Sequence, residues 1–105
     1  MMLDLFKNLF KKSPEVDYQE LKKAGALIID VRSPGEFSAG HIKGAVNIPV
    51  NTLASHLPKV PKTKPIITCC ASGMRSASAK QILMNSGFEN VYNGGPWTVL
   101  NHKLG

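Results

Sequence analysis

The chain has 105 residues, 43% of them hydrophobic, and a formal net charge of +6, which suits one domain with a real core and is too little for two. No apolar run approaches the roughly 20 residues of a membrane-spanning helix. Eleven of the thirteen cations are lysines spread over several segments, which describes a solvated surface with some bias toward anionic partners and argues against a nucleic-acid-binding face.

Residues 1–12 carry an amphipathic pattern. At 100° per residue, Met2, Leu3, Leu5, Phe6, Leu9 and Phe10 share one arc of roughly 160°, opposite Asp4, Lys7, Asn8, Lys11 and Lys12. A helix is expected, packed on its own domain or on a second copy as a dimer contact; a membrane-surface anchor is the less favoured reading. The segment lacks the basic start, continuous apolar core and small-residue cleavage site of a secretory signal, so a cytoplasmic location is expected. Ser13-Pro14 closes it, giving an N-terminal helix over 1–13 and a domain over 14–105.

Asp17 and Glu20 have the spacing of a capping box for a short helix over 18–24, stopped at Gly25. The apolar, β-branched run 26–31 predicts a strand buried on both faces. Ser33-Pro34-Gly35-Glu36 opens a second short helix with a full box. A short strand is expected over 45–49, and a short helix around Leu53, Ala54 and Leu57, capped by Asn51 or Thr52. Three prolines and three lysines make 58–65 an exposed, stiff connector.

A central strand, 66–69, then leads into Cys70-Ala71-Ser72-Gly73-Met74-Arg75-Ser76, with a helix predicted over 77–86. A strand over 90–93, a turn at Gly94-Gly95-Pro96 and a last helix carrying Trp97, Val99 and Leu100 complete the chain. Alternating strands and helices imply an α/β domain with a mainly parallel sheet covered on both faces. In such sheets reactive loops lie beyond the carboxyl ends of the strands.

That geometry makes Cys70 the candidate nucleophile. Loop N–H groups and the positive end of the following helix converge where a thiolate would sit. Substrate-binding roles fall to Ala71, Ser72, Gly73, Met74 and Arg75. Ser72, Gly73 and Met74 act through backbone N–H groups, with Met74 also forming an apolar lip. Arg75 offers a planar donor fork to an anion, or else forms a structural ion pair. Cys69 belongs to the strand and points away from Cys70, for packing or for a redox role. Asp30 and Arg32 read as a structural pair, Arg32 joining Asp30 or Glu36. His41 reads as a hydrogen-bonded histidine and Trp97 as core. His56 and His102 have no cysteine or carboxylate cluster around them, so no metal site is expected.

The chain resembles the rhodanese-like family over about residues 15–104. Asp30-Val31-Arg32, Glu36-Phe37, Gly40-His41-Ile42-Lys43-Gly44-Ala45 and Asn47-Ile48-Pro49 carry the resemblance. The cysteine loop 70–76 adds to it, and Gly94-Gly95 with Trp97 adds a weaker third match, in which the tryptophan follows the glycines by two residues instead of the usual four. The resemblance implies a single-domain sulfurtransferase without metal or organic cofactor. Cys70 would take the outer sulfur of thiosulfate or a similar small anionic donor as a persulfide and pass it to a thiol or protein acceptor. Two rivals stand beside it. One is phosphatase or arsenate reductase activity on a similar fold, but family phosphatases keep five residues between cysteine and arginine, whereas this loop keeps four. Regulatory family members are non-enzymatic binding modules, and typically lack the cysteine.

Overall fold

The computed structural model of the protein describes residues 16–105. The amphipathic pattern of 1–12 and the boundary at 13 lie outside the described residues.

Asp17 caps helix α1 (Tyr18–Lys23), its carboxylate accepting from the Glu20 N–H at 3.1 Å. Glu20 turns its own carboxylate to Lys23, at 3.6 Å. Strand β1 (Leu27–Asp30) follows, then helix α2 (Pro34–Ala39). The full capping box forms here: Ser33 Oγ accepts from the Glu36 N–H, and Glu36 Oε1 accepts from the Ser33 N–H. Strand β2 is only Val46–Asn47, shorter than the 45–49 expected.

A 3-10 turn at Val50–Thr52, helix α3 (Leu53–His56) and a second 3-10 turn at Leu57–Lys59 replace the single short helix. Neither Asn51 nor Thr52 caps α3 through its side chain; the Thr52 hydroxyl donates back to the Pro49 carbonyl at 3.0 Å. Strand β3 spans Ile66–Cys70, one residue longer than expected.

Helix α4 (Met74–Asn85) begins three residues before the predicted start. Its N-cap is Gly73, at φ +98°, with no side-chain cap to advertise it. Strand β4 runs through Val91–Pro96, and helix α5 (Trp97–Leu104) follows directly. Gly94-Gly95-Pro96 is therefore strand, not turn. Thr68 pairs with Asn93 but Cys70 pairs with Pro96, so β4 carries an extra residue there, as in a bulge. Gly94 is obligatory at this bulge: a Cβ would stand 2.8 Å from Leu100 Cδ2 and 2.9 Å from the Thr68 carbonyl.

The four strands form one sheet in the order β2-β1-β3-β4, every neighbour parallel. Successive residues of β1 and β3 serve opposite cores. Ile29, Ile66 and Cys70 face a core completed by Leu53, Ala79, Leu83 and Phe88. Ile28, Ile67 and Cys69 face another, closed by Leu100, Leu104, Tyr18 and Leu21. Helices α3 and α4 thus cover one face and α1 and α5 the other. The carboxyl ends of the two central strands are Asp30 and Cys70.

Candidate active site

Strand β3 carries Cys70 to the carboxyl end of the sheet and the chain folds back over it. The Gly73 N–H donates to Cys70 Sγ at 2.9 Å, and the Ser76 N–H lies 3.4 Å from the same sulfur. The left-handed φ of Gly73, adopted at little cost only by glycine, turns the chain that follows into α4 directly after this N–H. Ser72 Oγ accepts from the Met74 N–H at 3.5 Å, steadying the turn. Because α4 starts at Met74, the sulfur meets the first turn of the helix itself, where unpaired N–H groups and the helix dipole favour negative charge.

Cys70 has no exposed surface, whereas Ala71, Ser72 and Met74 above it are exposed, Met74 by 78%. Burial is the largest single influence on the thiol and opposes ionisation. The Ser76 hydroxyl, with the N–H groups of Ser76, Gly73 and Ser72, outweighs it and holds the Cys70 pKa below the ordinary thiol value. Cys69 has no such donors. Burial, helped by Asp30 and opposed by Arg32, pushes its thiol up to about 12.

Two further residues reach this centre without a role in the sequence reading. Ser76 is fully buried, its Oγ 3.4 Å from Cys70 Sγ, 3.0 Å from the Gly73 carbonyl and 2.6 Å from Asn93 Oδ1. Asn93 Oδ1 also accepts from the Gly95 N–H at 2.9 Å. Ser76 had a signal: with Ala79 and Leu83 it falls on the inward stripe of α4, where a serine needs buried partners. Asn93, on the neighbouring strand and 17 residues away, had none.

Arg75 sits on the first turn of α4, not in a free loop. Both arms of its guanidinium go to Glu36, at 2.7 and 3.0 Å, which makes it an ion pair in this structure. This contact, with the Ser33 N–H and hydroxyl, pulls the Glu36 carboxyl down to about 2.

Arg32 pairs with Asp30, as expected. Its guanidinium donates to both Asp30 oxygens, with Nη2 at 2.7 Å from Oδ2, and to the Gly40 carbonyl. Trp97 is half-buried and lies over that guanidinium, 4.7 Å from ring centroid to Cζ, while packing against the second core. His41 stacks on Phe37 with Nδ1 2.7 Å from the Phe37 carbonyl. Among the described residues no group of histidine, cysteine and carboxylate side chains could hold a metal ion.

Comparison with known proteins agrees with this architecture. The rhodanese-like domain model matches residues 13–95. The thiosulfate sulfurtransferase GlpE of Pseudomonas syringae is 33% identical over 84 residues, spanning 80% of this chain and 79% of that protein. An uncharacterized Bacillus subtilis protein, YqhL, is 41% identical over 68 residues, spanning 65% of this chain and 54% of its own. Among solved structures, the human single-domain sulfurtransferase TSTD1 superposes with a TM-score of 0.70 at 31% identity, covering 88% of this chain and 98% of that one. A rhodanese with anions from E. coli gives 0.67 at 30% identity, covering 70% and 89%. With a parallel sheet that ends in a cysteine under loop amides, and a family match over most of its length, the chain belongs to the rhodanese-like domain family.

Proposed function

We propose that this chain is a sulfurtransferase in which Cys70 carries the sulfur as a persulfide. The observation that carries the reading is the Gly73 N–H aimed at Cys70 Sγ from 2.9 Å, with Ser76 supporting it. Charge-assisted hydrogen bonds of this kind keep a thiolate ready at neutral pH. The relatives named as thiosulfate sulfurtransferases point the same way.

The thiolate attacks the outer sulfur of thiosulfate. A bond forms from Sγ to that sulfur, the bond to the sulfonate sulfur breaks, and sulfite leaves with the electron pair. The negative charge then rests one atom further out, on the new terminal sulfur. There the backbone N–H groups of Ala71 to Arg75, across the turn and the start of α4, hold it until an acceptor takes the sulfur and Cys70 returns as thiolate. The acceptor is a thiol, small or on a partner protein; cyanide serves in an assay. Because Cys70 has no exposed surface, the donor's sulfur has to enter past the exposed rim of Ala71, Ser72 and Met74.

No step calls for a metal or organic cofactor. Among the described residues both cysteines are free thiols, and no helix is long and apolar enough to cross a membrane. Free thiols suit a reducing compartment, so we place the activity in the cytoplasm.

Incubation with thiosulfate should add one sulfur to the protein, mapped to Cys70 by mass spectrometry, and cyanide should then release thiocyanate. Cys70→Ser should do neither. Turnover that survives this substitution refutes the assignment, and a wild-type protein that loads no sulfur from any donor favours a binding module.

A further inference from the structure

Both arginines of the chain are already committed. Arg32 is buried against Asp30, and Arg75 is clasped by both oxygens of Glu36. Among the described residues, Arg75 is also the one charged residue lining a cavity of about 460 Å³ with Ser33, Pro34, Pro49, Val50 and Thr52. Glu36 is doubly anchored, since the same carboxylate accepts from the Ser33 N–H and hydroxyl. An anionic donor drawn toward Arg75 would have to share it with a carboxylate that the α2 capping box holds in place.

We propose that Glu36 sets donor choice in this site. By occupying Arg75 it leaves backbone dipoles as the main anion-holding groups, and so tilts the site away from doubly charged thiosulfate. The favoured donors carry one charge less, as organic thiosulfonates and alkyl persulfides do. This rests on the sulfurtransferase reading. The chemistry balances for each class: thiolate plus thiosulfonate gives the Cys70 persulfide and a sulfinate, and thiolate plus alkyl persulfide gives the Cys70 persulfide and a thiolate.

The test compares thiosulfate with methanethiosulfonate, which react through the same attack and differ by one charge. Glu36→Gln keeps the hydrogen-bonding arms of a capping box but removes the charge. In this variant kcat/KM for thiosulfate should rise about fivefold, the scale of one exposed ion pair. The value for methanethiosulfonate should change by less than about twofold, and the thiosulfate gain should shrink as salt is added. In an Arg75→Met background the same substitution should give no gain. Equal changes for the two donors, or no rise with thiosulfate while wild type still loads Cys70, would overturn the role of Glu36 alone. Failure of wild type to load sulfur from either donor would remove the sulfurtransferase reading and this inference together.

Discussion

Cys69 and Cys70 are adjacent in β3, yet their side chains lie in different cores. Cys69 packs with Ile28, Ile42, Ile67 and Leu100, and Cys70 with Ile29, Ala79 and Leu83 under the N-terminal turn of α4. Strand alternation makes this separation, and it gives two buried thiols opposite electrostatic fates.

Alkylation by iodoacetamide across pH should therefore label one site. Cys70 should react with a midpoint below that of the same thiol in the urea-unfolded chain, because its folded pKa is lowered. Cys69, pushed up to about 12 by burial, should stay unlabelled until the protein unfolds. Peptide mapping checks both; native labelling at Cys69, or a Cys70 midpoint at the unfolded value, contradicts the activation argument.

Ser76→Ala removes the hydroxyl beside the sulfur and the 2.6 Å bond to Asn93. The Cys70 alkylation midpoint should move up. Stability should fall by about 1–2 kcal/mol, the scale for losing a partner of buried polar groups. A loss of stability with an unchanged midpoint would mean that Ser76 only packs.

Asp30→Ala strands the Arg32 guanidinium in the interior with the Glu36 and Gly40 carbonyls as its acceptors. Breaking a buried pair from one side costs about 3–5 kcal/mol. Urea unfolding should show a loss of that order, and Asp30→Asn combined with Arg32→Met should recover part of it. A single-variant loss under about 1 kcal/mol would show the pair to be dispensable.

Acid should weaken the Arg75 contact late. The Glu36 carboxyl titrates at about 2 in the folded protein, against about 4.3 in an unfolded chain. The unfolded state thus binds the proton first. The stabilisation is complete above the unfolded value and drains away as pH falls toward the folded one. Carboxyl NMR titration should place Glu36 near that low value, and melts from pH 5 down to 2 should fall more steeply for wild type than for Glu36→Gln.

The alternation of strands and helices, the Asp17 cap and the Ser33–Glu36 box were all readable, because caps and β-branched runs act within four or five residues. The same holds for the cysteine at a strand's carboxyl end. The start of α4 was not readable, since Gly73 caps it by backbone conformation alone and Ser72 and Ser76 resemble loop residues. Gly94-Gly95-Pro96 has the composition of a turn; only the bulge against Cys70 makes it strand. The Glu36–Arg75 clasp joins positions 39 apart, and the Asn93–Ser76 contact spans two elements. Such pairings come from strand order, which no local pattern encodes.

The early start of α4 has a further consequence. The N–H groups of Gly73 and Ser76 end on the sulfur, so their protection from exchange with solvent reports the sulfur's chemical state. A thiolate anchors both hydrogens, while an alkylated sulfur, with no charge to offer, releases them. Deuterium uptake at these two amides is thus a built-in gauge of whether the protein is armed, readable without any substrate turning over.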